Sequence, residues 1–371
     1  MRINCAKSVL VENINIVSKA VSSKATLPIL ECCLLVADGN GFRLMATDTE
    51  LAIETKTMEA DIVEKGAVAL DSKVFFDIIR RLPGDEVEIY ADEKNLTLIK
   101  SDKSEFKILG MDANEFPELP KIEMDKVYRL SAAALRDMIR QTIFSVSHDI
   151  TKPVLCGELL DIDGDCARLV SVDGFRISMR RLSFENGSGD PKFKIVIPGK
   201  TLSEISKILP VGEEALAIMH VTDRHVLFNL DNCIVVSRLI EGDFINYETM
   251  FAKEADTTLD IDKTALLNSI DRATLISKDS KKSPVKLKLS GGRVVITSNT
   301  EVGASYEEIW AEQDGPDLEI AFNPKYIVDV LKVLDCERII MEFTTALSPC
   351  IIKVAASDDY RYLILPLRLR N

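Results

Sequence analysis

The chain has 371 residues and a formal net charge of −13 at pH 7; 46% of its residues are hydrophobic and 28% are charged. These proportions are typical of a soluble globular protein. No apolar run approaches the roughly 20 residues that a membrane span requires, so no transmembrane helix is predicted. The negative balance argues against a nucleic-acid partner unless the positive charges are gathered on one surface.

The eight cysteines include no Cys-x-x-Cys pair, and the first residues lack the long apolar core of a signal peptide. We therefore expect a cytoplasmic protein with free thiols. Cys32 and Cys33 are adjacent in a strand-like run, where neighbouring side chains point to opposite faces, so a disulfide between them is not expected.

A helix is predicted near the start of each third of the chain. Apolar residues at helical spacing follow Ser8, Ser131 and Asp262, and Ser and Asp favour helix starts because their side-chain oxygens accept hydrogen bonds from free backbone N–H groups. Short alternating or β-branched runs bounded by turn residues predict strands elsewhere, such as Phe42–Ala46 and Val294–Ser298. The connections are too short for crossover helices, so we expect antiparallel strands, about eight in each third beside two helices.

The second predicted helix of each third carries one repeated charge pattern, a basic residue, an acidic residue four positions on and a basic residue three further. The copies are Lys73, Asp77 and Arg80; Lys200, Glu204 and Lys207; and Lys325, Asp329 and Lys332. Their first residues are 127 and 125 positions apart, and a fixed period indicates tandem copies of one domain. Acidic, proline-bearing or polar connectors place the predicted domains at residues 1–123, 124–252 and 253–371.

The i, i+4, i+7 spacing puts these charges on one side of each helix, opposite an apolar side. Two interpretations remain open. The charges can form a solvated face with helical ion pairs. Alternatively, the basic faces can line one enclosed surface and create a positive field there within a Debye length of about 8–10 Å. The second interpretation requires a curved or closed assembly.

Catalytic signatures are scarce in the sequence. It contains no Walker A motif, no Gly-x-Gly-x-x-Gly after a strand, no His-Glu-x-x-His and no Gly-x-Ser-x-Gly. Asp161, Asp163 and Asp165 alternate as in a calcium loop, but the glycine is not at the sixth position and no glutamate is at the twelfth. A β-turn between two strands is predicted there instead. We expect no metal, no cofactor and no catalytic residue.

Six strings along the chain occur in an order and at distances that point to one family. They are Lys24–Leu30 (KATLPIL), Thr47–Leu51 (TDTEL), Asp112–Pro117 (DANEFP), Val172–Arg176 (VDGFR), Ile240–Phe244 (IEGDF) and Leu365–Leu369 (LPLRL). With these strings the chain resembles, from end to end, the bacterial DNA polymerase III beta subunit, or sliding clamp. The resemblance implies an α+β fold of three tandem DNA-clamp domains, each with two helices on the inner face and antiparallel sheets outside.

The same resemblance implies a function. Two protomers would form a head-to-tail homodimer, a ring that encircles duplex DNA and tethers the replicative polymerase without catalysing a reaction; heterologous contacts whose rotation closes produce such rings. The partners implied are duplex DNA of any sequence, a second copy of the chain, the DNA polymerase III alpha subunit, the clamp loader and other proteins with a clamp-binding motif. No membrane and no cofactor are implied.

Position by position, the resemblance implies a pocket for a short peptide similar to Gln-Leu-x-Leu-Phe. The matching residues are Leu155, Val172, Gly174, Phe175, Arg176, Ile245, Thr249, Met250, Pro349, Leu363, Leu365, Pro366, Leu367 and Arg368. Family members often carry Thr, His, Pro and Arg where this chain has Val172, Phe175, Ile245 and Thr249, so we expect a more apolar pocket. The alternative for the last strand is ordinary core. Arg370 and Asn371 extend past the usual terminal leucine.

The resemblance also assigns two further surfaces. The residues expected to face DNA are Lys24, Lys73, Arg80, His148, Lys200, Lys207, Lys325 and Lys332. Contacts to phosphate would make binding independent of sequence, although some of these side chains can instead pair with neighbouring carboxylates. The residues expected at the dimer interface are Phe106 and Ile108 in the first domain and Leu275 and Ile276 in the third, with core packing as the alternative.

Two other functions are compatible with the sequence. A repeat-built protein-interaction scaffold that never touches nucleic acid would suit the negative net charge, and it predicts no retention on DNA. A hydrolase that uses a carboxylate pair such as Asp161 and Asp163 predicts turnover or a metal-dependent change in melting temperature.

Overall fold

Burial alternates along many of the strands because successive side chains point to opposite faces of a sheet. Val294, Ile296 and Ser298 are buried, for example, while the residues between them are more exposed. The computed structural model describes residues 1–22, 27–120, 127–184, 192–252, 254–276, 284–355 and 357–368. Lys24 and the last two residues, Arg370 and Asn371, lie outside the described residues.

The first third of the chain has nine strands and two α-helices in its described residues. They are β1 (Arg2–Ala6), α1 (Lys7–Val17), β2 (Cys32–Asp38), β3 (Gly41–Thr47), β4 (Leu51–Thr55), β5 (Asp61–Glu64), β6 (Gly66–Asp71), α2 (Ser72–Arg81), β7 (Glu86–Ala91), β8 (Leu96–Ser101) and β9 (Ser104–Leu109).

The middle third has eight strands and two α-helices in its described residues. They are β10 (Val127–Ser131), α3 (Ala132–Thr142), β11 (Gly157–Asp163), β12 (Cys166–Val172), β13 (Arg176–Ser183), β14 (Lys192–Pro198), α4 (Gly199–Ile208), β15 (Leu216–Val221), β16 (His225–Asn229) and β17 (Cys233–Arg238).

The described residues of the last third repeat the same order of elements. They form β18 (Thr257–Asp262), α5 (Lys263–Ala273), β19 (Val285–Ser290), β20 (Arg293–Thr300), β21 (Gly303–Asp314), β22 (Leu318–Phe322), α6 (Pro324–Val333), β23 (Arg338–Phe343), β24 (Cys350–Val354) and β25 (Ser357–Ile364). The predicted count of two helices and about eight strands is therefore confirmed in each third.

The described strands pair antiparallel throughout, as predicted, and they form three sheets. The strand orders are β5-β1-β7-β8-β9, β10-β15-β16-β17-β4-β3-β2-β6 and β14-β11-β12-β13-β25-β24-β23-β18-β21-β20-β19-β22. By their contacts the described residues form two compact units, of which the first holds the five- and eight-stranded sheets and the second holds the twelve-stranded sheet. Within the part of the chain that the structure describes, no helix is long and apolar enough to cross a membrane.

Two strand pairs join one repeat to the next. In the first unit, β4 of the first repeat pairs with β17, the last strand of the second, with Ile53 opposite Val235. In the second unit, β13 of the second repeat pairs with β25, the last strand of the third, with Ile177 opposite Leu363. Each junction thus joins the fourth strand of one repeat to the last strand of the next through backbone hydrogen bonds.

The predicted helix start at Asp262 is confirmed, since its carboxylate accepts a hydrogen bond from the Ala265 N–H at 2.7 Å. A side-chain acceptor satisfies one of the donors that a helix leaves free in its first turn. Ser131 likewise accepts from the Ala134 N–H at 3.4 Å ahead of α3.

The prediction for Ser8 is wrong. Helix α1 begins at Lys7 and has Ala6 at its N-cap position, without a side-chain cap. The physical reason lies in β1, which pairs with β7 up to Ala6 opposite Glu86. The chain continues directly into the helix, and the backbone N–H of Lys7 donates to the Asp85 carbonyl oxygen at 2.7 Å. Equivalent backbone bonds precede α3 and α5, from Ala132 to Ala215 at 2.8 Å and from Lys263 to Glu337 at 2.9 Å. The end of the preceding strand therefore sets the cap position, which is Ala6 in the first repeat, and Ser8 lies inside the helix.

Glu158, in β11, is a fully buried carboxyl group in the second unit. Neither of its carboxylate oxygens has a hydrogen-bond partner in the described residues. Burial raises the pKa of Glu158 to about 8, because a charge is costly in a poorly polarisable interior. The nearby Thr142 hydroxyl opposes this rise only in part, since it donates to the Met138 carbonyl oxygen at 2.7 Å. Glu158 is therefore mostly protonated in the folded protein at neutral pH.

We expect the variant E158Q to remove a pH-dependent loss of stability. The folded-state pKa of about 8 lies above the ordinary glutamate pKa of 4.5. The stability contributed by the neutral form is therefore complete below about pH 4.5 and is lost as pH rises to 8, by up to about 5 kcal/mol. The melting temperature of E158Q should therefore rise relative to wild type between pH 5 and pH 9. The exposed substitution E301Q is the control, and equal pH profiles for all three proteins would contradict the assignment.

Candidate partner groove and basic helix faces

The floor of the candidate groove is a row of apolar side chains on one face of the twelve-stranded sheet. Val172 lies opposite Ile177, and Ile177 lies opposite Leu363, so the row crosses from β12 through β13 to β25. All three are buried members of one hydrophobic cluster, against which Leu155 and Ile245 pack while remaining partly exposed. The structure thus brings these four predicted pocket residues, with Ile177, into one surface.

One rim of this floor is the turn between β12 and β13. Gly174 has φ +91°, a left-handed conformation that favours glycine. Phe175 is 56% exposed and stacks on Tyr326, with ring centroids 6.2 Å apart. The backbone N–H of Leu365 donates to the Phe175 carbonyl oxygen at 2.9 Å, which ties the C-terminal segment to the turn.

The C-terminal segment 365–368 leaves apolar side chains accessible. Leu365 is 39% exposed and Leu367 is 41% exposed, while the Leu367 N–H donates to the Ala321 carbonyl oxygen at 2.7 Å. Pro366 is half-buried and Arg368 is exposed. Because backbone hydrogen bonds hold the segment while its leucines stay exposed, it presents a preformed apolar edge beside the groove floor.

Four further predicted pocket residues remain to be placed. Thr249 and Met250 are exposed next to Phe251, which belongs to the cluster beneath the groove, and Pro349 is half-buried just before β24. The fourth, Arg176, differs from the others because its side chain is 7% exposed. The Arg176 guanidinium is therefore largely withdrawn from the surface of the groove.

Arg176 is held inside the second unit by partners from three segments. Its guanidinium donates to the carboxylates of Asp173 at 2.8 Å and Asp329 at 2.7 Å, and to the Phe144 carbonyl oxygen at 2.6 Å. Its Cζ atom also lies 4.5 Å from the centre of the Tyr326 ring. A buried guanidinium with this many partners fixes the turn that carries Phe175 rather than reaching out to a ligand.

The described basic residues of the predicted DNA face are all exposed. Those on the second helix of each repeat are Lys73, Arg80, Lys200, Lys207, Lys325 and Lys332, and His148 is exposed in the loop after α3. Exposure is compatible with both a solvated face and a DNA-facing surface. The partners of each cation therefore determine how much positive charge is free to contact an external anion.

Some of these cations are engaged by neighbouring groups. Lys207 pairs with Glu204 at 2.8 Å and Lys325 with Asp329 at 2.5 Å. Arg80 donates to the Asn15 side-chain oxygen at 2.9 Å. Lys73 and Lys332 have no ion-pair or hydrogen-bond partner in the described part of the chain. The charge available to an external anion is therefore greatest at Lys73 and Lys332.

The predicted interface residues lie beside exposed strand edges. Phe106 is 41% exposed and Ile108 is half-buried on β9, the outer strand of the five-stranded sheet. Leu275 is 82% exposed just after α5. The carbonyl oxygen of Ile276 accepts a hydrogen bond from the Thr300 hydroxyl at 3.1 Å, next to the start of β21.

The aspartate run forms a hairpin, as predicted, rather than a metal loop. Asp163 lies opposite Cys166 across a two-residue turn in which Gly164 has φ +58°. Asp161 accepts a hydrogen bond from the Tyr247 hydroxyl at 2.7 Å and pairs with Lys194 at 3.1 Å. Among the described residues no group of three or more His, Cys, Asp or Glu side chains is placed to hold a metal ion.

Comparison with known proteins gives a consistent result along the whole chain. Family models described as the N-terminal, central and C-terminal domains of the DNA polymerase III beta subunit match residues 1–120, 129–246 and 248–368. The beta sliding clamp of Halalkalibacterium halodurans is 38% identical, with 98% of each chain covered. The beta sliding clamp of Bacillus subtilis is 34% identical, covering 99% of this chain and 100% of the relative.

Solved structures agree with these matches. A putative DNA polymerase III beta subunit from Eubacterium rectale superposes with a TM-score of 0.95 at 39% identity, and the DNA polymerase sliding clamp from Bacillus subtilis with a TM-score of 0.96 at 33% identity; each comparison covers 100% of both chains. Three α+β repeats linked by antiparallel strand pairs define a DNA clamp. The chain belongs to the DNA polymerase III beta subunit family, whose members are non-catalytic processivity factors.

Several residues that shape the site are not identifiable from the local sequence. Tyr326, Asp173 and Asp329 surround Arg176 although they come from different repeats. Asp173 lies in the Val172–Arg176 string and Asp329 in the repeated charge pattern, but neither signal indicated a contact with Arg176. The charge pattern pointed to an exposed helical ion pair. The second partner of Asp329, Arg176, lies 153 positions away in the chain.

We expect R176Q to lower stability strongly, because it leaves two carboxylates and a carbonyl group without their shared cation. Removal of one partner from a buried ion pair costs about 3–5 kcal/mol, and differential scanning calorimetry would show a fall in the melting temperature. R181Q removes an exposed arginine from the same strand and should change stability by no more than about 0.5 kcal/mol. Similar melting temperatures for the two variants would show that the Arg176 network is not a major stabilising feature.

Proposed function

We propose that this chain is a DNA sliding clamp: two copies close head to tail around duplex DNA and tether a replicative polymerase. The observation that carries the proposal is the repeated strand junction. Two fourth-strand-to-last-strand pairs, β4 with β17 and β13 with β25, form within the chain. The corresponding strands left over are β21, the fourth of the third repeat, and β9, the last of the first repeat.

Both leftover strands have an open edge in the described residues. β9 is the outer strand of its sheet and pairs only with β8. In β21, residues 303–310 pair with β20 and leave their other edge open, whereas residues 311–314 pair with β18. An open strand edge presents unpaired backbone N–H and C=O groups that can pair with another chain. A third junction between β9 of one protomer and β21 of another would complete the series, and a second such junction would close the dimer.

Apolar side chains flank both open edges. The Ser305 hydroxyl donates to the Ala273 carbonyl oxygen at 3.1 Å, which holds the end of α5, and with it the exposed Leu275, beside the open part of β21. On β9, Phe106 and Leu109 are 41% and 74% exposed. Burial of these side chains would add hydrophobic stabilisation to the backbone pairing.

The substitution L275D should convert the dimer to monomer, because it places a charge in the apolar part of the proposed dimer interface. Sedimentation velocity would show the change, and the variant should no longer be retained on nicked circular DNA after loading. V211D, at a residue that is 91% exposed, is the matched control and should remain dimeric. Wild-type protein should leave the DNA when the circle is linearised. A closed ring is retained because the DNA passes through it, not because its contacts are strong, so it can slide off a free end.

If L275D were as fully dimeric as V211D, the dimer interface would not include Leu275. Failure of the wild-type protein to be retained on circular DNA would favour the non-catalytic interaction scaffold, which the net charge of −13 would suit.

We propose that the exposed cations on the second helix of each repeat contact DNA. Lys73 and Lys332 support this proposal, because neither has an ion-pair or hydrogen-bond partner in the described residues. Contacts to phosphate would carry no sequence information. We also propose domains at residues 1–123, 124–252 and 253–371, a division supported by the repeated order of elements. We place the protein in the cytoplasm, with the polymerase alpha subunit, the clamp loader and other proteins bearing the clamp-binding motif as partners.

Partner proteins are proposed to bind the groove described above through a motif similar to Gln-Leu-x-Leu-Phe. The floor of Val172, Ile177 and Leu363 and the exposed edge of Leu365 and Leu367 offer apolar contact to the motif's Leu and Phe. Each of these side chains gains about 1.5–3 kcal/mol on burial, so micromolar affinity is expected after the cost of ordering the peptide.

Removal of the residues from Pro366 onward should abolish this binding while leaving the dimer intact. Fluorescence anisotropy of a labelled peptide would measure it, with native mass and melting temperature checked for both proteins. Equal affinity for the full-length and truncated proteins would exclude the C-terminal edge from the site. A lack of binding to the full-length dimer would contradict the groove as the binding site of this motif.

A further inference from the structure

The apolar floor of the groove gives way to arginines on the same face of the sheet. Side chains two residues apart on a strand share a face, so Arg168 follows Val172 by way of Val170 along β12. In the same way Arg181 follows Ile177 by way of Met179 along β13. Arg361 follows Leu363 along β25. The groove floor therefore continues without a break into a row of three guanidinium groups.

Two of these arginines form an unusual pair. Arg168 lies directly opposite Arg181 on the neighbouring antiparallel strand, and like charges in directly opposed positions are destabilising. On its other side Arg168 lies opposite Asp161 of β11, but that carboxylate accepts from the Tyr247 hydroxyl at 2.7 Å and pairs with Lys194 at 3.1 Å.

Neither Arg168 nor Arg181 has an ion-pair or hydrogen-bond partner in the described residues. Arg361, by contrast, binds both oxygens of Asp358 at 3.0 and 2.6 Å. Asp161 and Glu248 attract Arg168, and Asp358 attracts Arg181, without a hydrogen bond to either guanidinium. Arg168 and Arg181 therefore keep N–H donors for an external anion.

The arginines line a cleft of about 230 Å³ whose floor is apolar. Met179, Tyr247 and Phe251 form that floor and belong to the cluster beneath the peptide groove. Two carboxylates, Glu248 and Asp358, also line the cleft, and Asp358 is engaged by Arg361. Three cations against two anions leave a positive excess. Arg168 and Arg361 are half-buried, so their charges are screened by salt less than that of the exposed Arg181.

The spacing fits a short extension of a bound peptide. Arg168 is four residues from Val172 and Arg361 is two residues from Leu363, which correspond to about 13 Å and about 7 Å along extended strands. A partner chain whose apolar residues lie on the floor needs only two to four more extended residues to reach the arginines.

We propose that this arginine cleft binds aspartate or glutamate side chains in the partner segment that flanks the apolar motif. The inference rests on the proposed peptide groove and adds a selectivity to it: partners with an acidic flank bind more tightly than partners with a neutral one. Carboxylates accept paired hydrogen bonds from a guanidinium, which gives both affinity and orientation. The cost of placing two arginines opposite each other is offset when a carboxylate lies between them.

The test compares labelled peptides that share one apolar motif. One set carries four glutamates on the N-terminal or the C-terminal side, and the matched set carries four glutamines. Each is titrated against the full-length dimer of wild type, of R168Q/R181Q and of the control K286Q/K288Q, which removes the same charge from β19 of the same sheet. Wild type and control should bind one of the glutamate peptides roughly five- to thirtyfold more tightly than its glutamine counterpart at low salt. The gain should shrink as salt is added.

In R168Q/R181Q the gain should fall to within about twofold, while affinity for the unextended motif stays unchanged. Equal affinity of the glutamate and glutamine peptides for wild type would overturn the arginine cleft, as would a gain that survives in R168Q/R181Q. The unextended motif separates this failure from that of the groove: if it fails to bind wild type, the peptide groove is wrong, and the cleft that rests on it is rejected with it.

Discussion

The structure depends on one kind of contact, the antiparallel pairing of the fourth strand of a repeat with the last strand of the next. Backbone hydrogen bonds make this contact, so it tolerates wide variation in side chains while fixing the register of the strands. In the second unit the β13–β25 pair also builds the groove, because its floor passes from Ile177 to Leu363 across that junction. Joining the repeats and forming a partner surface are thus consequences of the same pairing.

Arg176 reinforces the same junction from the other face of the sheet. Its partners Asp173 and Phe144 belong to the second repeat, whereas Asp329 and Tyr326 belong to the third. A buried guanidinium is stable only when several acceptors surround it, and here those acceptors can meet only if the repeats are correctly joined. The geometry of the turn that carries Phe175 therefore depends on the same junction as the floor it borders.

Much of the architecture could be predicted from the sequence because it depends on local periodicity and on repetition. Lys73, Lys200 and Lys325 mark equivalent helices at nearly constant offsets, and Asp262 marks a helix start through a contact three residues away. The hairpin at Gly164 likewise needed only short-range information. These features follow from residues that are close in the chain.

Long-range contacts could not be derived in this way. Pairing of β4 with β17 joins residues about 180 positions apart, and the repeat pattern predicts that the domains are alike without showing how they connect. Ser8 failed as a helix start because pairing with the distant β7 extends β1 to Ala6, which takes the cap position of α1. The sequence also gave no sign that Glu158 is buried without a partner or that Arg168 faces Arg181, since both depend on the register of strands.

The two junctions within the chain and the proposed junction between chains differ in one respect, the covalent tether. Tethered strands meet at an effective concentration in the millimolar range or above, whatever the amount of protein present. The β9–β21 pairing has no tether, so its occupancy falls as the protein is diluted. In the proposed dimer the strand pairs between protomers are therefore the ones that separate most easily. Such a ring can open there, and admit DNA, while every repeat stays folded.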